Sequence, residues 1–223
     1  MKISRMSYTC VCLAICILIS AGIGTLAYAG KWVPIGGPAT GVFVGGNGLY
    51  ARLQSGDIYR YEGSPNNWTK VGGPGTTWAV NDTNIYGLSR DANSVWQYTG
   101  TGTNWTPIGG PAKLLIAGGR ALYATNPNTG DIYRYEGSPN NWTKVGGPGA
   151  TFAINKAGLY GLSLDQKSVW QYTGTGNKWS MIASAPPGQD RIGYIWARGK
   201  DLYMATPTPG ESFTYAAIWQ YQP

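Results

Sequence analysis

Asp57 to Gly75 and Asp131 to Gly149 are the same 19 residues, DIYRYEGSPNNWTKVGGPG, 74 positions apart. Ser94 to Gly102 and Ser168 to Gly176 share SVWQYTGTG at that same offset. The unit is itself a doublet. Trp32, Trp68, Trp105, Trp142 and Trp179 recur at steps of 36, 37, 37 and 37, each followed three residues on by Ile35, Val71, Ile108, Val145 or Ile182. Aliphatic-Tyr pairs follow at Leu49-Tyr50, Ile85-Tyr86, Leu122-Tyr123, Leu159-Tyr160 and Leu202-Tyr203, and a third motif (IYRY, VWQY or IWQY) starts at Ile58, Val95, Ile132, Val169 and Ile218. A fixed period of this length means that each unit buries its apolar face against its neighbours.

Within each repeat, short apolar and aromatic runs are separated by Gly, Pro, Asn, Asp and Ser clusters, which is the punctuation of strands and turns. In the fourth repeat the strands read as Phe152 to Asn155, Leu159 to Ser163, Ser168 to Tyr172 and Trp179 to Ile182, with Gln166-Lys167 as a hairpin turn. Four antiparallel strands repeated five times predict an all-β chain, a five-bladed β-propeller. A β-trefoil would show three repeats, and a β-helix a shorter period. The Trp32 strand, Lys31 to Ile35, opens the domain, and the last repeat ends on its third strand. The N-terminal strand is therefore expected to close the ring by filling the fifth blade, which removes an open edge. Insertions holding Pro186-Pro187-Gly188 and Thr206 to Gly210 are expected as loops of that blade.

Composition narrows the chemistry. The 223 residues contain no His, which excludes the Ser-His-Asp triad, the Cys-His dyad, imidazole-ligated zinc and an imidazole base. Cys10, Cys12 and Cys16 lie in a segment with a basic start (Lys2, Arg5), an apolar run and Ala27-Tyr28-Ala29 before Gly30. Residues 1–29 read as a secretory signal peptide, with an uncleaved anchor as the alternative, and 30–223 as a single secreted propeller domain. Without Lys2 and Arg5 the net charge falls from +7 to +5, and the charges are scattered. No basic stripe interleaved with aromatics points to nucleic acid.

The order Trp, aliphatic-Gly-Gly-Pro, Leu-Tyr, Asp-Ile-Tyr-Arg-Tyr resembles the tectonin and tachylectin-like lectin propellers over nearly all of Lys31 to Tyr221. The resemblance implies non-catalytic, multivalent recognition of cell-surface glycans by a monomer, through shallow pockets between blades, without a cofactor, metal or membrane insertion. The alternative is an extracellular scaffold gripping a protein partner. The residues themselves nominate the third strands. Alternation places Arg60 and Glu62, and Arg134 and Glu136, opposite Tyr59, Tyr61, Tyr133 and Tyr135, offering donors and acceptors to sugar hydroxyls. Gln97 and Gln171 take the Arg place in the alternate blades, with Trp96 and Trp170 in the Tyr place. Trp78, matched by Phe152, is either a platform or a larger core residue, and the five recurrent Trp read as packing between blades. The sequons at Asn67, Asn81, Asn104 and Asn141 are candidate glycosylation sites, and Asp91-Ala92-Asn93-Ser94 reads as a turn. A carboxylate-only glycosidase would need a pair of acids that does not stand out from the turns.

Overall fold

The computed structural model describes residues 32–208 and 215–223. The expected signal peptide, Gly30, Lys31 and part of the second insertion lie outside them. The described residues form 19 strands in five antiparallel sheets. Blade 1 holds β1 (Gly41–Gly45), β2 (Gly48–Arg52), β3 (Ile58–Tyr61) and β4 (Trp68–Gly72). Blade 2 holds β5 (Gly75–Val80), β6 (Ile85–Ser89), β7 (Val95–Tyr98) and β8 (Trp105–Gly109). Blade 3 holds β9 (Leu115–Gly118), β10 (Ala121–Thr125), β11 (Ile132–Tyr135) and β12 (Trp142–Gly146). Blade 4 holds β13 (Thr151–Asn155), β14 (Gly158–Leu162), β15 (Ser168–Tyr172) and β16 (Trp179–Ser184). Blade 5 holds β17 (Tyr194–Arg198), β18 (Asp201–Pro207) and β19 (Tyr215–Gln220). The first strands β1, β5, β9, β13 and β17 share one central cavity of about 370 Å³.

Each pair of consecutive blades encloses a hydrophobic cluster. Between blades 1 and 2, Tyr50, Ile58 and Val71 meet Trp78, Val80, Ile85 and Tyr98. The recurrent Trp-to-aliphatic spacing has a specific cause. In the register Ile58↔Gly72, Tyr59↔Lys70, the fourth strand carries one extra residue, Val71, as a bulge. The same shift isolates Ile108, Val145 and Ile182. A bulged residue leaves the ladder, so its carbonyl is free for another donor. The indole N–H of the next blade's Trp supplies it: Trp105 donates to the Val71 carbonyl (2.7 Å), Trp142 to Ile108 (2.8 Å) and Trp179 to Val145 (2.7 Å). The following glycine makes room, since a Cβ at Gly72, Gly109 or Gly146 would lie within 2.9 Å of that indole.

Cross-strand pairs between the first two strands show a second size exchange. Trp78 faces Gly87 and Phe152 faces Gly161, whereas Val42 faces Ala51, Leu115 faces Ala124 and Ile195 faces Met204. At this position the two aromatics sit opposite glycine, where a Cβ on Gly87 would collide with the Trp78 ring. Trp78 is accordingly buried.

Blade 5 departs from the others. It has three strands, and among the described residues β19 has no outer partner. Trp32 to Ile35 form no strand, so the expected N-terminal closure is not seen. The consequence is visible at the third-strand aliphatic. Ile58, Val95, Ile132 and Val169 are 0 to 2% exposed, but Ile218 is 73% exposed. Thr206, placed in a loop from the sequence, is a buried residue of β18. The edge register continues past the repeat's usual strand end because Thr206 pairs with Ala217. Pro186-Pro187-Gly188 lies in the β16–β17 loop as expected.

Candidate functional site

Three equivalent uncharged cavities open in the clefts ahead of blades 2, 3 and 4. The blade 2 cavity, about 190 Å³, is lined by Gly73-Pro74-Gly75 after β4, Trp78 of β5, Gly87 to Ser89 of β6, Trp96 of β7 and Trp105 of β8. The blade 4 cavity, about 280 Å³, repeats it with Gly147-Pro148-Gly149, Phe152, Gly161 to Leu164, Trp170 and Trp179. The blade 3 cavity, about 200 Å³, has Gly110-Pro111, Ala124 to Asn126, Tyr133 and Trp142. The Gly-Gly-Pro motif is thus a cavity rim, and the absence of side chains there keeps the space open.

Two indoles wall the cavity in blades 2 and 4, and both are pinned by their N–H groups. Trp96 donates to the Ser94 hydroxyl and Trp170 to that of Ser168, each at 2.8 Å. Trp105 and Trp179 use the bulge carbonyls already described. Tyr98 and Tyr172 stack against the inner indole at 5.2 and 5.4 Å. With both N–H groups anchored, the rings are held as rigid platforms, presenting faces rather than donors. Trp78 differs. Its Nε1 is buried without any hydrogen-bond partner, at a cost of about 1 to 3 kcal/mol.

Of the residues taken from the sequence, Trp78, Tyr133, Trp96 and Trp170 line cavities, and Arg60, Tyr61, Glu62, Gln97, Arg134, Tyr135, Glu136 and Gln171 do not. Arg60 of β3 and Glu62 just after it form a bidentate pair (3.0 and 3.3 Å), repeated at Arg134 and Glu136 (3.0 and 3.2 Å). Tyr61 and Tyr135 pack on Trp68 and Trp142 at 5.0 and 5.1 Å, which confirms that Arg and Tyr take opposite faces. Gln97 accepts from the Tyr135 hydroxyl at 3.4 Å and Gln171 donates to the Ala157 carbonyl at 3.2 Å. These groups are already satisfied within the protein. The outer-wall residues Trp96 and Trp170 take their place as site candidates. Their signal in the sequence was the Ser-Val-Trp spacing, which supplies the anchoring hydroxyl two residues before the indole.

The remaining polar motifs are structural. Asn81 is buried, with its Oδ1 accepting from the backbone N–H of Thr83 and Asn84 (2.9 and 2.8 Å) and its Nδ2 donating to Tyr86 and Ala121. It is therefore inaccessible as a glycosylation acceptor, whereas Asn67, Asn104 and Asn141 are exposed at turns. Asp91 caps its turn from Ser89 and Asn93, as Asp165 does from Ser163 and Lys167. Both connections run from Ser to Ser rather than as the two-residue hairpin expected for blade 4, and no group of three metal-ligating side chains occurs among the described residues.

Titration follows from these contacts. Hydrogen bonds from Lys70 and Lys144 hold the Asp57 and Asp131 carboxyls below the usual range, and Arg60 and Arg134 do the same for Glu62 and Glu136. Burial pushes the phenols of Tyr50, Tyr86, Tyr123 and Tyr160 upward. A depressed carboxylate contributes stability above its unfolded value that is lost as pH falls through the folded one. A raised phenol contributes stability below its unfolded value that is lost as pH rises through the folded one. With no His in the chain, the melting temperature is expected to stay flat between about pH 5 and 9. Thermal melts across that window check this, and a pronounced drop inside it contradicts it.

No family model matches the chain, and no curated protein matches it. Solved structures do. A xyloglucanase of glycoside hydrolase family 74 from Xanthomonas campestris aligns with TM-score 0.61 at 15% identity over 86% of this chain, which spans 32% of the enzyme. YCF48 bound to D1 peptide aligns at 0.55 and 14% identity over 85% of this chain and 70% of that one. YCF48 from Cyanidioschyzon merolae aligns at 0.52 and 13% over 86% and 75%. These neighbours support a propeller fold, and the likeness to tectonin and tachylectin-like proteins rests on the repeat motifs alone. At these identities the neighbours show the fold, and the chain is a β-propeller with five antiparallel blades.

Proposed function

We propose that the protein is a secreted, non-catalytic, lectin-like propeller that binds neutral saccharides of cell-surface glycans in the cavities between blades. The observation that carries this reading is the repeated pair of anchored indoles, Trp96 with Trp105 and Trp170 with Trp179, enclosing an uncharged space. Pyranose rings present C–H faces that pack on aromatic faces, and cavities of 190 to 280 Å³ suit a terminal sugar rather than a long chain. No acid lines any of the three cavities, so the pair of carboxylates that a glycosidase uses has no counterpart there. We further infer that Lys31 to Ile35 complete blade 5 as its fourth strand. Ile35 already stands as a fourth-strand residue towards blade 1, since its carbonyl accepts from Trp68 Nε1 (2.7 Å) and Asn66 N (2.9 Å), as Ile108 does from Trp142 and Asn140.

The double variant Trp96→Ala with Trp170→Ala is expected to lower saccharide affinity roughly 5- to 150-fold, taking the about 1 to 3 kcal/mol of a base stacked on one aromatic ring as the measure for a stacked sugar. Both side chains lie partly exposed, so the fold should survive. Calorimetric titration of wild type and variant reads the difference, and equal affinities would remove these cavities from consideration.

A further inference from the structure

Blades 2 and 4 are near-copies in sequence, yet their cavity walls differ: Trp78 stands against Phe152, and Leu164 lines the blade 4 cavity where Arg90 is the matching residue of blade 2. The site measures about 280 Å³ in blade 4 and about 190 Å³ in blade 2. The Trp78 exchange also adds one polar atom to the wall. Six other indoles, those of Trp68, Trp96, Trp105, Trp142, Trp170 and Trp179, have an acceptor for their N–H. Trp78, only 7% exposed, does not. The edge of its ring that bears the N–H, at Cε2 and Cζ2, lies against Gly75 on the cavity rim. Packing alone does not call for this donor, because Phe152 fills the matching place opposite Gly161 with no polar atom. A buried donor kept where a phenyl ring suffices needs an acceptor from elsewhere.

Resting on the saccharide reading above, we propose that Trp78 makes the blade 2 cavity chemically distinct: its Nε1–H donates to an oxygen of the bound sugar, which the blade 4 cavity cannot match. The same backbone thus carries two kinds of site. The blade 4 site recognises shape and apolar faces alone, and the blade 2 site adds a test for a correctly placed hydroxyl or ring oxygen. Neutral pyranosides with C–H groups on both faces fit between two indoles, so methyl β-D-glucopyranoside is a suitable probe.

The test is a titration of purified ¹⁵N-tryptophan-labelled protein with that probe, followed through the indole N–H resonances and repeated on Trp78→Phe and Phe152→Trp. The resonance missing from Trp78→Phe identifies Trp78. It is expected to move downfield on binding, and the affinity of the blade 2 site is expected to fall roughly 2- to 10-fold in Trp78→Phe, the range of one neutral hydrogen bond. Phe152→Trp, whose ring Gly161 can seat, is expected to raise the blade 4 affinity. If the Trp96 and Trp170 resonances respond while Trp78 stays still and both variants bind as wild type, the donor role is overturned and the saccharide reading stands. If no indole responds, the saccharide reading itself fails and takes this one with it.

Discussion

Deletion of Gly30 to Gly36 is expected to remove most of the folding stability. The open edge of β19 leaves Ile218 at 73% exposure, and the facing side of blade 1 leaves Val42 and Val44 at 63 and 70%. Their counterparts Trp78 and Val80 in blade 2 are buried. Covering three such side chains contributes about 1.5 to 3 kcal/mol each, against a total of about 5 to 15 kcal/mol for a domain. The deletion also takes away Ile35, so the N–H groups of Trp68 and Asn66 lose their acceptor. Thermal denaturation reads the outcome, and a truncated chain that melts with the intact one would contradict strand closure.

Trp142→Ala is expected to destabilise by about 3 to 5 kcal/mol, the usual cost of truncating a packed large aromatic. Trp142 ties two blades together, donating to the Ile108 carbonyl at 2.8 Å and packing on Tyr135 at 5.1 Å, with Gly109 beneath it. Its removal takes one of the two donors from the bulge carbonyl, leaving that of Asn140, and empties the seat. Chemical denaturation measures the change. A loss below about 1 kcal/mol would show that the inner-wall indoles are surface platforms rather than joints between blades.

The repeats and their strands were legible because strand periodicity and turn residues are local, and duplication printed them several times. The role of the Trp-to-aliphatic spacing was legible only as packing. That the aliphatic is a bulge whose freed carbonyl receives an indole depends on the pairing register of a second strand, which spacing does not reveal. The cavities were not legible for a related reason. Arg60, Glu62 and their copies drew notice as charged groups, but within the fold they satisfy each other two residues apart. The cavities of blades 2 and 4 are built largely from glycine, proline and aromatic residues contributed by several strands and a connection, and the N–H groups of Trp96, Trp105, Trp170 and Trp179 are spent on anchoring. Among the indoles of these two cavities only Trp78 keeps an unspent donor, and the feature that marks it, its exchange with Phe152 in the sibling blade, was present in the sequence.

Binding of saccharides by the anchored indole pairs between blades is read on a glycan array probed with the intact protein and with Trp96→Ala, Trp170→Ala. Graded binding to related neutral saccharides by the intact protein, lost in the folded double variant, is the expected result. Silence of the intact protein across the array, or binding unchanged in the variant, would contradict the account, and silence would favour a scaffold gripping a protein partner.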